Sequence, residues 1–170
     1  MKWIAPLQNV DSALFLWCMD RKHRQQMTRF GRVVSKTGDG WLYIVLFVGL
    51  WIGKALSSRM LLLIAFAFSI ERIIYFVMKN GLKRNRPAQK IKGFSSFIQP
   101  HDKFSFPSGH TSAAFLTASL LTILFPAWAA VSFLWAALVG LSRVFLGVHF
   151  PGDILVGASL GVATAWMVVG

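Results

Sequence analysis

The sequence predicts an all-α integral membrane protein: a helical bundle of about five transmembrane helices preceded by amphipathic N-terminal helices. Three observations carry that prediction. Hydrophobic residues make up 55% of the 170 positions and charged residues only 14%, against about 25% charged in ordinary soluble domains. The apolar residues fall in blocks bounded by turn chemistry or charge, and the 18 Lys and Arg, against 6 Asp and Glu, are segregated between those blocks. Backbone groups in lipid must be satisfied within their own segment, so such blocks fold as helices. The same composition excludes intrinsic disorder, and 14 Gly and 6 Pro with no triplet period exclude a collagen-like chain. The net charge of +12, placed between apolar blocks, favours anionic membrane lipids or a phosphorylated substrate as partners, and no nucleic acid. Cys18 is the only cysteine, which excludes an intramolecular disulfide and a Cys-based zinc site.

Residues 1–40 read as an interfacial segment and residues 41–170 as the membrane domain. The first twenty residues carry no small-residue cleavage pattern, which argues against a removable signal peptide. Leu7, Val10, Leu14, Trp17 and Cys18 recur at helical spacing and form one stripe of a short amphipathic helix, with Gln8, Asn9, Asp11 and Ser12 away from it. Met27, Phe30 and Val34 keep that spacing among Arg21, Lys22, Arg24, Arg29 and Arg32, as in a helix lying in the head-group plane. Residues 35–40 are turn chemistry. Residues 41–53 form a first span, short against the roughly 20 residues a bilayer core requires. Residues 60–78 form a second, interrupted by Glu71 and Arg72, which read as bundle packing. Residues 111–141 carry no charge and are too long for one span, so Pro126 divides them into a third and a fourth. Residues 154–170 make the fifth. Ala113, Ala114, Ala118, Gly140, Gly157, Ala158 and Gly161 let the helices approach closely.

Three polar clusters sit at the ends of these blocks. Lys79, Arg86 and Pro87 follow the second span; Arg offers a planar fork to two phosphate oxygens and Lys a compact point charge. Phe106, Pro107, Ser108, Gly109, His110 and Thr111 open the third span, where a helix N-terminus presents free N–H groups to an anion. A histidine there is placed to act as a general acid. Ser142, Arg143, His149 and Asp153 lie between the fourth and fifth spans. The four-residue spacing of His149 and Asp153 lets the carboxylate hold one imidazole N–H and leaves the other nitrogen free to attack. With five spans all three clusters emerge on one membrane face, giving a cationic pocket suited to phosphoryl transfer.

The pattern KxxxxxxRP at 79–87, PSGH at 107–110 and SRxxxxxHxxxD at 142–153 resembles the three-part signature of the type-2 phosphatidic acid phosphatase (PAP2) family, in its membrane lipid phosphatase branch. The resemblance spans about residues 60–170. It implies that His149 is the nucleophile forming a phosphohistidine, that Asp153 orients it, and that His110 protonates the leaving lipid oxygen. It also implies that Lys79, Arg86, Ser108, Gly109 and Arg143 bind the phosphate, with no metal and no other cofactor. The expected activity is metal-independent hydrolysis of a lipid phosphomonoester or diphosphate, such as phosphatidic acid, phosphatidylglycerophosphate or a polyprenyl diphosphate. A lipid phosphotransferase using the same intermediate, or a non-catalytic lipid-phosphate-binding or transport protein, is the alternative.

Many members similar to this chain have six spans; here short amphipathic segments replace the helix expected before Trp41. Lys90, Lys92 and Lys103 are candidates to select a second phosphate, whereas His23 and His101 are assigned nothing. The excess of basic residues on the site face, against Lys54 and Arg59 on the other, directs that face to the cytoplasmic side. The resemblance implies the opposite face, since the family's polyprenyl-diphosphate recyclers and several glycerolipid phosphatases face outward. The expected location is a bacterial inner membrane.

Overall fold

The computed structural model describes residues 5–20, 24–100 and 102–170, with the side chains of residues 5–7 excepted. Lys2, Arg21, Lys22, His23, His101 and the Leu7 side chain therefore lie outside the described residues. Helices α1 (Ala5–Met19), α2 (Arg24–Lys36), α3 (Gly40–Ile52), α4 (Ser58–Leu82), α5 (Pro87–Lys90), α6 (Gly109–Leu124), α7 (Ala129–Phe145) and α8 (Pro151–Val168) follow in order, with no strand among the described residues.

Local chemistry sets the boundaries. Ser57 caps α4 by accepting the Met60 N–H at 3.2 Å, and α4 ends where Lys83 adopts a left-handed conformation at φ 46°. Pro126 forbids continuation of α6 and opens a short 3₁₀ turn, Pro126–Trp128, before α7. Pro151 starts α8 in the first-turn position, where its missing N–H is harmless.

Five apolar helices occupy the five expected blocks, with unequal lengths. The segment containing α4, α7 with its leading turn, and α8 are long and apolar enough to cross a membrane. Helices α2 and α3 reach that length only as a pair bent by 47°, and α6 has 16 residues. Helix α6 sits at the centre of the bundle rather than against lipid: Ala114, Leu116, Ala118 and Leu120 are fully buried. It packs on α7 and α8, backbone against backbone. A Cβ on Gly161 would lie 2.2 Å from the Ser112 carbonyl oxygen, and one on Gly157 2.7 Å from that of Ser108, the small-residue packing that membrane bundles use in place of a hydrophobic drive. Leu62, Phe66, Ile73 and Val77 of α4 and Leu155 of α8 point outward, as a lipid-facing surface requires.

The N-terminal helices correct the expected faces. Val10, Leu14 and Trp17 are exposed, whereas Asp11, Phe15 and Met19 are buried. Helix α1 is apolar most of the way round, so spacing alone does not choose its inner face. Tertiary partners do: the Phe15 ring lies 5.1 Å from Phe94 and 5.5 Å from Phe150, and Asp11 forms an ion pair with Arg84. On α2 the buried residues are Thr28, Gly31 and Ser35, while Phe30 is exposed. Small residues let α2 lie close along α7, which outweighs the burial available from the larger ones.

Candidate active site

Lys79 lies on the last turn of α4, where the helix delivers it under the 102–108 loop. Its buried ammonium donates to Tyr75 Oη at 2.5 Å and pairs with Asp102 Oδ2 at 2.6 Å. Arg86 leaves α5 from the N-cap position, donating Nη1 to the Val148 carbonyl at 2.6 Å and Nε to the Asp102 carbonyl at 3.1 Å, and Nη2 pairs with the Asp102 carboxylate. Burial works against an ionised Asp102. The hydrogen bonds from Lys79 and Tyr75 and the charges of Lys79 and Arg86 nevertheless hold its carboxyl well below the ordinary range.

The turn after α7 brings His149 back over the bundle. Gly147 has φ +74° and a Cβ there would lie 2.6 Å from the Phe94 ring, so both conformation and space require glycine. His149 Nδ1 faces Asp153 Oδ2 at 3.6 Å, just beyond hydrogen-bond length. That same carboxylate oxygen accepts the Phe150 N–H at 2.8 Å, and Oδ1 accepts from Arg84 Nη1 at 2.7 Å. Burial pushes the His149 imidazole down to about 4 against the opposing pull of Asp153, with Arg86 and Arg143 adding to the depression. The ring is therefore neutral, with an available lone pair, at neutral pH. Arg143, on the last turn of α7, is buried and donates Nη1 to Ser35 Oγ of α2 at 2.5 Å.

Ser108 is the fully buried N-cap of α6; its hydroxyl accepts from Thr111 at 2.9 Å and its N–H donates to the Asp153 carbonyl at 3.1 Å. Gly109 fits beneath Tyr75, whose ring a Cβ would meet at 2.9 Å. His110, partly exposed, places Nε2 3.2 Å from Asp39 Oδ1 at the N-cap of α3.

Arg86, Gly109, His110, Arg143 and His149 line a single cavity of about 760 Å³. Lys79, Ser108 and Asp153 stand behind its wall. From the cationic end the cavity continues past Arg72 and Tyr75 into an apolar groove between α3 and α4, walled by Ile44, Phe47, Leu61, Ile64 and Phe68. Lys90, Lys92 and Lys103 do not line it; Lys90 instead reaches the Gln8 carbonyl at 3.4 Å and the Phe150 ring at 5.6 Å. The further cation at the cavity is Arg72. It makes a bidentate pair with the fully buried Glu71 at 2.5 and 2.6 Å and donates to the Gly109 carbonyl at 3.3 Å, and Ser112 donates to Glu71. Among the described residues no cluster of His, Cys, Asp and Glu has the makings of a metal site.

Several polar residues of this site carry no signal in the sequence. Tyr75, Asp102, Asp39, Ser35, Asp11 and Arg84 gain their partners only through the fold. The one local hint is that Tyr75 and Lys79 stand four apart on one helix face.

The fold and the pocket define an all-helical integral membrane protein with a cationic, histidine-bearing cavity open to an apolar groove. Residues 59–170 match the model of the PAP2 superfamily, and the chain belongs to that family. It is 30% identical over 135 residues to the bacitracin transport permease protein BcrC of Bacillus licheniformis, covering 74% of this chain and 65% of that one. With phosphatidylglycerophosphatase B of Bacillus subtilis it shares 31% identity over 140 residues, covering 76% and 65%. The solved transmembrane PAP2-type phosphatidylglycerolphosphate phosphatase of Bacillus subtilis superposes with a TM-score of 0.78 at 27% identity, over 96% of this chain and 84% of that one. The chain spans 65% of the length of the first two relatives.

Proposed function

We propose that the chain is a metal-independent phosphatase acting on a phosphomonoester or diphosphate of a membrane lipid. One observation carries this reading: a single cavity joins Arg86, Arg143 and two histidines to an apolar groove between α3 and α4. A phosphate fits the first part and a lipid chain the second. The phosphatase names of relatives support the same reaction.

The neutral His149 attacks phosphorus through Nε2 while the lipid oxygen departs, taking a proton from His110. Positive charge developing on the imidazole is met by Asp153 across 3.6 Å, a distance that shortens as the ring charges. Lys79, Arg86, Arg143 and the N-terminal end of α6 at Ser108 and Gly109 balance charge on the transferring oxygens, a contribution that is large where water is scarce. Water then attacks the phosphohistidine, giving its proton to His110, and inorganic phosphate leaves. The membrane is a bacterial inner membrane and the site opens on its cytoplasmic side, a reading supported by the basic excess on that face. Labelling of Gln99→Cys by an impermeant reagent in intact cells, with Ser57→Cys protected, contradicts that orientation.

The deciding experiment measures phosphate release from phosphatidic acid, phosphatidylglycerophosphate and a polyprenyl diphosphate by the detergent-purified protein in EDTA. Release is expected from at least one, falling roughly 10⁴-fold in His149→Ala. Release that needs added metal or survives His149→Ala overturns the mechanism, and label passed to an added alcohol instead of water identifies a phosphotransferase.

A further inference from the structure

Arg84 does not line the cavity, yet it lies at the centre of the wall behind it. Its two terminal nitrogens divide between two carboxylates: Nη1 donates to Asp153 Oδ1 at 2.7 Å and Nη2 to Asp11 Oδ2 at 2.6 Å. The guanidinium lies 4.3 Å over the Phe150 ring. Asp11 Oδ1 accepts the Gly152 N–H at 2.7 Å, and a Cβ on Gly152 would lie 2.8 Å from Asp11 Oδ2. The Arg84 and Asp11 side chains are 13% and 11% exposed, and that of Asp153 is fully buried. Both carboxylates are thus held at each oxygen.

Arg84 alone on Asp153 would draw the negative charge away from the imidazole. Asp11 offsets the guanidinium, so Asp153 is oriented by Arg84 and still has charge to present to His149. Charge-assisted hydrogen bonds in so dry a place fix geometry strongly, and removing one partner leaves the others uncompensated. We infer that Asp11, on the N-terminal helix α1 and outside the region matched by the family, is a positioning residue for His149. It acts through Arg84 on Asp153. Docking of α1 is then a condition of reactivity as well as of membrane anchoring. The inference rests on the roles proposed above for His149 and Asp153.

The test uses the full chain in detergent and two readouts: lipid phosphate release, and the rate at which diethyl pyrocarbonate acylates His149, followed by mass spectrometry. Asp11→Asn is expected to lower kcat about 10-fold, leave KM within about two-fold and slow His149 acylation. Arg84→Gln has the larger effect, Arg84→Lys recovers part of it, and Asp11→Asn/Arg84→Gln is no worse than Arg84→Gln alone because both act along one route. The double variant also removes the unbalanced charge, so it reports the coupling even where Arg84→Gln folds poorly. Wild-type kcat and acylation in Asp11→Asn, multiplicative losses in the double variant, or a loss confined to KM each overturn the inference. Turnover surviving in His149→Ala refutes the phosphatase mechanism instead, and the acylation rates then decide the positioning role by themselves.

Discussion

Helices α1 to α3 and the remainder of the chain meet the cavity differently. Every charged group and histidine lining it comes from residues between Arg72 and His149, whereas the N-terminal part lines it with Tyr43, Ile44, Phe47, Val48 and two glycines. Yet that N-terminal part stands next to, or behind, the reactive groups: Ser35 holds Arg143, Asp39 meets His110, and Asp11 reaches Asp153 through Arg84. Support for the cavity-lining groups is thus divided: Tyr75, Arg84 and Asp102 come from the same stretch as the groups they hold, and Asp11, Ser35 and Asp39 from the N-terminal one. A matched signature therefore marks the groups lining the cavity and leaves out part of their support.

The largest expected effect lies on the reacting side. Asp153→Asn keeps the Phe150 hydrogen bond available but removes the charge facing His149, and kcat should fall roughly 10²- to 10⁴-fold in a phosphate-release assay with the protein still folded. Retention of near wild-type turnover removes Asp153 from the mechanism and breaks the division drawn above. On the supporting side the effects are smaller. Asp39→Asn should lower kcat about 10-fold with little change in KM, because the amide orients His110 less well. Ser35→Ala should raise KM by a few-fold, because Arg143 loses the hydroxyl that fixes its fork. If Asp39→Asn matches His110→Ala in severity, Asp39 takes part in proton transfer and belongs with the reacting groups.

A pH profile sharpens the same contrast from within the site. The proposed attack requires neutral His149, and burial sets its folded-state value at about 4. The histidine limb of log kcat/KM should therefore lie near pH 4, with no loss of nucleophile between pH 7 and 5. Arg86 is one of the cations depressing that value, so Arg86→Gln should move the limb upward in pH as well as reduce the rate. A limb at pH 6 to 7 in the unaltered protein means that His149 is not held neutral by its surroundings.

The apolar blocks and the three motifs were legible because each is local: a run without charge, a proline break, a helix start, a histidine four residues before an aspartate. The inner face of α1 was not, since Val10, Leu14 and Trp17 satisfy helical spacing as well as Asp11, Phe15 and Met19 do. Only the meeting with Arg84, Phe94 and Phe150 selects one of them. Arg84 lies inside the first motif at an unspecified position, and its partners are 69 and 73 residues away. Lys90, Lys92 and Lys103 were reasonable anion ligands by charge, but the loop carries them away from the cavity and Arg72, hidden in an apolar span beside Glu71, faces it. An acidic partner in the adjacent position made Arg72 look like packing; the helix geometry lets it pair with Glu71 and line the cavity at once.

The smallest effect tests what the N-terminal part contributes directly, the wall of the apolar groove. Ile44 is exposed on α3 and lines that groove opposite α4. It belongs to the apolar wall of the cavity and not to its cationic lining, so a larger side chain there crowds a lipid chain before it disturbs the phosphate ligands. Ile44→Trp should raise KM for a long-chain lipid phosphate by about three- to five-fold, the scale of a modest steric loss in an apolar pocket. A short-chain analogue that does not reach the groove should be turned over as before, and kcat should be unchanged for both. Equal loss with the two substrates places the lipid chain elsewhere and leaves α3 as support alone. A selective loss makes α3 the part of the N-terminal region that contacts the substrate, while α1 and α2 act only through the groups they hold.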